Sequence, residues 1–153
     1  VVFDSDGNYI TQFGGAGVNP GQFDEPVGTA INGAGEVFVA DTWNQRIQAF
    51  TPDASGITYT QKTLWEVQAW NGNSVENKPF LAVDKDSHVF VTDPEGYRVL
   101  EFTAEGGFVR AWGDYGTEAN AFGLPAGIAT DQNGGVWVSD AANNRLMHFT
   151  LPK

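Results

Sequence analysis

Short apolar and β-branched segments recur along this chain, separated by clusters of polar residues and glycine. Runs of this kind, bounded by turn residues, are typical of strands packed between two sheets. The pattern predicts units of four strands, labelled a to d in chain order. Strand a is predicted at 26–31 and 125–130, strand b at 37–40, 89–92 and 136–139, strand c at 46–50, 98–102 and 145–149, and strand d at 9–13 and 108–112.

A ten-residue motif, Asp-x-x-[Asn/Gly]-x-Arg-[Ile/Val/Leu]-x-x-Phe, occurs three times, at 41–50, 93–102 and 140–149. The copies are separated by 52 and 47 residues. A period of this length indicates a repeat architecture, in which each unit needs neighbours to bury its apolar face. We therefore predict one domain over 1–153, with repeats at roughly 3–50, 50–102 and 102–149. Because all three copies carry the motif Asp and Arg, we interpret these residues as structural.

The turn between strands b and c carries Asn44, Gly96 or Asn143 at the same slot. Asn and Gly accept a left-handed backbone at low cost, so we predict a positive φ at this slot. The motif Asp is expected to accept backbone N–H bonds from the turn, or to pair with the Arg five residues later.

Two connections between strands d and a match in length, at 14–26 and 113–125. Each carries a phenylalanine three residues before the proline, Phe23 and Phe122, and we expect these rings to wedge between adjacent units. The middle repeat is about five residues longer than the others. We place the additional residues within 51–70, where a longer or bulged hairpin would accommodate them.

The sequence resembles the NHL repeat family over almost the whole chain. The resemblance lies in the pattern Pro-x-Gly-x-Ala followed by Val-x-Val-[Ala/Ser]-Asp-x-x-Asn-x-Arg-[Ile/Leu]-x-x-Phe. The resemblance implies an all-β fold, in which each repeat is a β-propeller blade of four antiparallel strands. NHL propellers usually have six blades and sometimes five. Three blades make a partial or half propeller. We therefore expect the remaining blades to come from the same parent chain or from a second copy, with the parent chain favoured.

The net charge is −11, from 19 acidic and 8 basic residues, and three of the basic residues are the motif arginines. A chain with so few free cations repels nucleic acid and anionic membrane surfaces, so neither is an expected partner. No apolar run approaches the 18 residues of a membrane-spanning helix, so no direct membrane insertion of this segment is expected. The absence of cysteine excludes disulfides and thiol catalysis.

Candidate metal and catalytic residues are sparse. Asp4-Ser-Asp6-Gly7-Asn8 resembles the start of a calcium loop but lacks the later acidic ligands, so we favour a hairpin turn over structural calcium. Asp84-Lys-Asp86-Ser-His88 is likewise interpreted as a solvated turn rather than a metal site. The two histidines, His88 and His148, lie in different repeats. We predict no metal site, no cofactor and no catalytic residue in this segment.

The variable positions of the repeat are the best candidates for binding. In a propeller the b–c and d–a loops emerge on one face, and exposed aromatic side chains favour recognition. The alternative is that these side chains pack against neighbouring loops or absent blades. The predicted partner-binding residues are Trp43, Gln45, Tyr97, Tyr115 and Asn144.

These features favour a non-catalytic binding or scaffolding module for a protein, peptide or glycan. One alternative is a propeller enzyme of the lyase or lactonase kind, which the family resemblance allows, with metal ligands partly outside this segment. Another is a docking domain of a large membrane-anchored assembly, which favours an extracytoplasmic location.

Overall fold

The computed structural model describes residues 1–70 and 77–152. Apart from a short 3-10 helix at Gln68–Trp70, the regular elements of these residues are all β-strands, and none of their helices is long and apolar enough to cross a membrane. The strands are β1 (Val2–Phe3), β2 (Tyr9–Thr11), β3 (Pro26–Ile31), β4 (Val37–Asp41), β5 (Arg46–Pro52), β6 (Tyr59–Glu66), β7 (Leu81–Val83), β8 (Val89–Asp93), β9 (Arg98–Phe102), β10 (Phe108–Trp112), β11 (Pro125–Thr130), β12 (Gly135–Asp140) and β13 (Arg145–Thr150).

The strands form four antiparallel sheets in simple up-and-down order. Strands β3 to β6 make blade 1, β7 to β10 make blade 2, and β11 to β13 make blade 3, while β1 and β2 form a separate hairpin. The first strand of blade 2 contacts the first strands of both neighbouring blades, so the a strands converge on the inner side. Antiparallel blades arranged around converging inner strands make a β-propeller, which confirms the predicted all-β fold class.

The predicted strands agree closely with the structure. Both a strands, 26–31 and 125–130, have the predicted bounds, and the b strands extend to the motif Asp. The additional residues of the middle repeat all lie in one hairpin. Trp65 pairs with Ile47 as Trp112 pairs with Val99, yet Trp65 follows its motif Phe by 15 residues and Trp112 by 10. A register shift after Ala49 accompanies this longer hairpin.

The core lies between the blades because strand b and strand c present apolar side chains on both faces of each sheet. Phe38, Ile47 and Trp65 of blade 1 pack against the face of blade 2 that contains Val91 and Phe102. This burial is the main source of cohesion between neighbouring blades.

The two connection phenylalanines occupy different surroundings. Phe122 is fully buried between blades 2 and 3, in a cluster with Phe90, Val99 and Val138, as predicted. Phe23 packs on Phe50 and lines an open cleft of about 530 Å³ between the first hairpin and blade 1.

The far side of blade 3 presents apolar positions to solvent in the described residues. Trp137 is 42% exposed, whereas the aligned Phe38 and Phe90 are 1% and 2% exposed. Leu146 is 72% exposed, whereas the aligned Ile47 and Val99 are fully buried. Trp137 stacks on His148, with ring centroids 4.3 Å apart. A further blade, from the parent chain or a second copy, remains the predicted cover for this face.

The prediction of a left-handed backbone at Asn44, Gly96 and Asn143 is wrong by one position. The positive φ values occur at Gln45 (54°), Tyr97 (54°) and Asn144 (52°), the residues that follow. Each turn closes by an N–H to C=O bond across four residues, such as Gln45 to Thr42, and the left-handed residue ends it. This is the arrangement of a type I turn followed by a left-handed residue, which leaves the slot before it right-handed.

Candidate partner-binding face

The b–c turns lie beside the d–a connections. We call this surface the loop face and define it by the turns 42–45, 94–97 and 141–144 together with the connections 14–25, 67–70, 77–80 and 113–124. Two motif arginines hold the connections in place through backbone carbonyls. Arg46 donates to the carbonyls of Val18, Asn19 and Gln22, and Arg145 donates to those of Thr117, Glu118 and Ala121.

The motif aspartates complete this network from the end of strand b. Asp140 is fully buried and accepts hydrogen bonds from the backbone N–H groups of Gly123 and Leu124, at 2.8 and 2.9 Å. It also accepts from the Asn143 amide and from the Arg145 guanidinium, at 2.8 and 3.0 Å. The Asp and Arg of the motif therefore fasten the connection to the turn, which supports the structural interpretation of both residues.

The same contacts determine the ionisation of Asp140. Burial raises the pKa of Asp140, but hydrogen bonds from Leu124, Asn143, Gly123 and Arg145 together outweigh burial and leave the pKa below its usual value. The carboxylate is therefore stabilised in its charged form at the base of the loop face.

Trp43 projects from the b–c turn of blade 1 and is 50% exposed. Its indole N–H donates to the carboxylate of Glu25, which also forms an ion pair of 2.8 Å with Lys78 of the next connection. These bonds, from Lys78 first and then from Trp43, lower the pKa of Glu25. Glu25 also has a left-handed backbone, with φ of 50°. The Glu25–Lys78 ion pair thus links the connection before blade 1 to the connection before blade 2, and the exposed Trp43 side chain is bonded to the same carboxylate.

Tyr97 and Tyr115 meet between blade 2 and the connection to blade 3. Their ring centroids are 4.8 Å apart in an edge-to-face arrangement, and Tyr115 is 71% exposed while Tyr97 is half-buried. Tyr97 therefore supports an exposed Tyr115 ring. The structure brings these two predicted residues together and places Trp43 on another turn of the same face.

Gln45 and Asn144 occupy the left-handed turn position in blades 1 and 3. Gln45 is half-buried and Asn144 is exposed. Their backbone role gives a structural reason for both residues, so they contribute less to the candidate site than the three aromatic side chains do.

A cavity of about 270 Å³ lies at the inner rim of the loop face, where the a strands of blades 2 and 3 begin. The alignment of the repeats does not predict this cavity, because the residues that line it differ in type from one repeat to the next. The lining consists of Asn77, Lys78, Phe80, Pro94, Leu124, Pro125 and Ala126.

Sequence reasoning also missed a charged cluster within blade 2. The carboxylate of Glu101 is buried and lies 2.6 Å from His88 Nδ1 and 2.8 Å from Arg110 Nε. Glu101 occupies the position of Ala49 in blade 1. A charged residue at this interior position is the sequence feature from which the cluster could have been predicted. The cluster lies away from the loop face.

The turns at 4–8 and 84–88 are closed by hydrogen bonds from their own backbone. Asp4 Oδ1 accepts from the N–H groups of Asp6 and Asn8, and Asp84 Oδ1 accepts from those of Asp86 and His88. In the described part of the chain, no group of three or more His, Asp or Glu side chains is placed to hold a metal ion.

Blades that pack face to face around converging inner strands give this chain the fold of a β-propeller. The sequence profile of the NHL repeat matches residues 23–50 and 122–149, the first and third copies of the motif, and the chain belongs to the NHL-repeat family.

Two curated proteins resemble the chain over most of its length. The B-box type zinc finger protein ncl-1 of Caenorhabditis elegans is 30% identical over 143 residues, which cover 94% of this chain and 16% of that protein. Protein brain tumor of Drosophila melanogaster is 30% identical over 142 residues, which cover 92% of this chain and 13% of that protein. The chain therefore spans a small part of the length of these relatives.

A solved streptogramin B lyase structure shares the fold. Its TM-score is 0.53 and its sequence identity 18%, over 84% of this chain and 41% of that one. At this identity the similarity concerns the fold alone.

Proposed function

We propose that this segment is a binding or scaffolding module that recognises a protein or peptide partner through its loop face. The observation that carries the proposal is the exposure of Tyr115, a residue that is 71% exposed while its ring packs edge-to-face on Tyr97 of the neighbouring turn. A rigidly held aromatic side chain loses little conformational entropy on binding, and such side chains dominate many interfaces.

The surrounding network supports the same function. Arg46, Arg145 and the motif aspartates fix the connections from below, so the loop face is preorganised before a partner arrives. Trp43 adds a second exposed aromatic side chain on the same face. The similarity to two large NHL-repeat relatives, of which this chain matches only a small part, agrees with a module that works within a larger protein.

Site-specific photo-crosslinking tests this proposal. A photo-crosslinking amino acid in place of Tyr115 is expected to capture a protein partner, which mass spectrometry then identifies. Tyr115→Ala and Trp43→Ala are each expected to weaken that partner at least about tenfold, measured by calorimetry with purified components.

The matched control is Phe108, an aromatic residue that is 63% exposed on strand β10, away from the loop face. Phe108→Ala is expected to leave the affinity unchanged. Equal capture from positions 108 and 115, or capture of a glycan instead of a protein, would contradict the proposal.

A further inference from the structure

The inner-rim cavity combines apolar walls with two polar groups. Phe80, which is 39% exposed, and the side chains of Leu124 and Pro125 form apolar walls. Its volume of about 270 Å³ is below the range of roughly 300–1,000 Å³ typical of small-molecule sites. A cavity of this size suits one apolar side chain of a larger partner.

Each polar group at the cavity is tied to a carboxylate on the loop face. The side-chain amide of Asn77 donates to Glu95 at 2.8 Å, and the amine of Lys78 pairs with Glu25 at 2.8 Å. One acidic group therefore contacts each of these two lining residues, Glu95 from the b–c turn of blade 2 and Glu25 from the connection before blade 1.

The loop face as a whole also carries a net negative charge. The motif Asp–Arg pairs neutralise one another. Apart from these pairs, the described loop-face residues include one cation, Lys78, and five carboxylates. The carboxylates are Asp24, Glu25, Glu95, Asp114 and Glu118. A surface of this charge attracts a basic partner and repels an acidic one.

We propose that the inner-rim cavity receives an apolar side chain from a basic peptide segment, whose Lys or Arg pairs with Glu95 and Glu25. The inference rests on the proposed function and specifies its partner. The incoming cation competes with Lys78 for the Glu25 carboxylate, which already accepts hydrogen bonds from N–H donors. The exposed ring of Trp43, bonded to the same carboxylate, provides a face for a cation–π contact.

Two matched tetrapeptides test the chemistry directly. Acetyl-Gly-Leu-Arg-Gly-amide and acetyl-Gly-Leu-Glu-Gly-amide are titrated into the isotope-labelled protein and followed by nuclear magnetic resonance. The arginine peptide is expected to shift the backbone amide signals of Asn77, Glu95 and Leu124. It should bind at least about tenfold more tightly than the glutamate peptide, and the difference should shrink at high salt. Equal affinity of the two peptides, or no shift with either, overturns the proposal.

Variants separate the cavity from the charge. Ala126→Leu fills the cavity and is expected to abolish binding of the arginine peptide, while Glu95→Gln is expected to weaken it about threefold to tenfold. Glu105→Gln, the same change at an exposed turn outside the loop face, should have no effect. Unchanged binding in Ala126→Leu, or equal effects of the two Gln variants, contradicts the inference. If Tyr115→Ala still weakens a captured partner while these peptides fail, the inference is wrong and the proposed function stands.

Discussion

Replacing Phe122 with alanine is expected to lower the free energy of unfolding by about 3–5 kcal/mol. The ring is fully buried between blades 2 and 3, beside Phe90, Val99 and Phe149. Removal of the ring would leave a cavity at the junction of two sheets. The backbone of the connection packs closely against this ring, which limits how far the surrounding structure can collapse into the cavity. At Gly113 an added Cβ would lie 2.6 Å from the Phe122 ring, which shows how closely the connection packs on it.

Urea denaturation monitored by circular dichroism measures this effect, and Phe108→Ala is the matched control. Phe108 is 63% exposed, so its truncation is expected to cost less than about 1 kcal/mol. Similar losses in the two variants would show that Phe122 does not hold the blades together.

The position of Phe122 illustrates what the repeat made predictable. Matching connection lengths at 14–26 and 113–125 placed both phenylalanines before strand a, and the structure puts Phe122 between blades as expected. The strand bounds followed for the same reason, since Val-x-Val segments with residues on both faces buried require a sheet on each side. A structural feature that recurs in each blade can be predicted from a single sequence, because it produces the same residue pattern at each repeat.

The turn slot was mispredicted because residue type does not reveal which atoms of the residue are used. Asn44 and Asn143 were expected for their tolerance of a left-handed backbone. The structure instead uses their side-chain amides, which donate to the motif carboxylates and to the carbonyls of Gly17 and Gly116. Glycine in the same slot of blade 2 avoids contact with Asp93, since a Cβ there would lie 2.1 Å from its carboxylate.

The candidate site was predictable in part. Trp43 and Tyr115 were assigned to the loop face from their positions in the repeat, and both side chains are exposed there. The link from Trp43 through Glu25 to Lys78 was not foreseen, because it joins residues 18 and 53 positions apart. Among the described residues these partners occur at one blade junction only, so the alignment of repeats gives no sign of them.

The buried end of the motif supports a second large effect. Asp140→Asn is expected to lower the free energy of unfolding by about 3 kcal/mol at neutral pH. The carboxylate accepts from Gly123, Leu124, Asn143 and Arg145, and an amide can replace only one of its two oxygens. The amide N–H groups of the new side chain would face donors, and Arg145 would lose its charge partner.

Asp6→Asn is the control for this substitution, because Asp6 is exposed in the first hairpin turn and its change should cost less than about 0.5 kcal/mol. Equal urea midpoints for the Asp140→Asn variant and the unchanged protein at pH 7 would contradict the buried network.

The pH dependence of the Asp140→Asn effect tests its electrostatic origin. The pKa of Asp140 is lowered in the folded state, so its contribution to stability is fully present above the unfolded-state pKa of about 3.9. That contribution is lost as the pH falls through the lower folded-state pKa. On acidification the unchanged protein therefore loses the stabilisation by the ionised Asp140 carboxylate, which the Asp140→Asn variant lacks at every pH. The difference in unfolding free energy between them should shrink below about pH 4. A difference that stays constant from pH 7 to pH 3 would mean that packing, rather than the charge of Asp140, fastens the connection to blade 3.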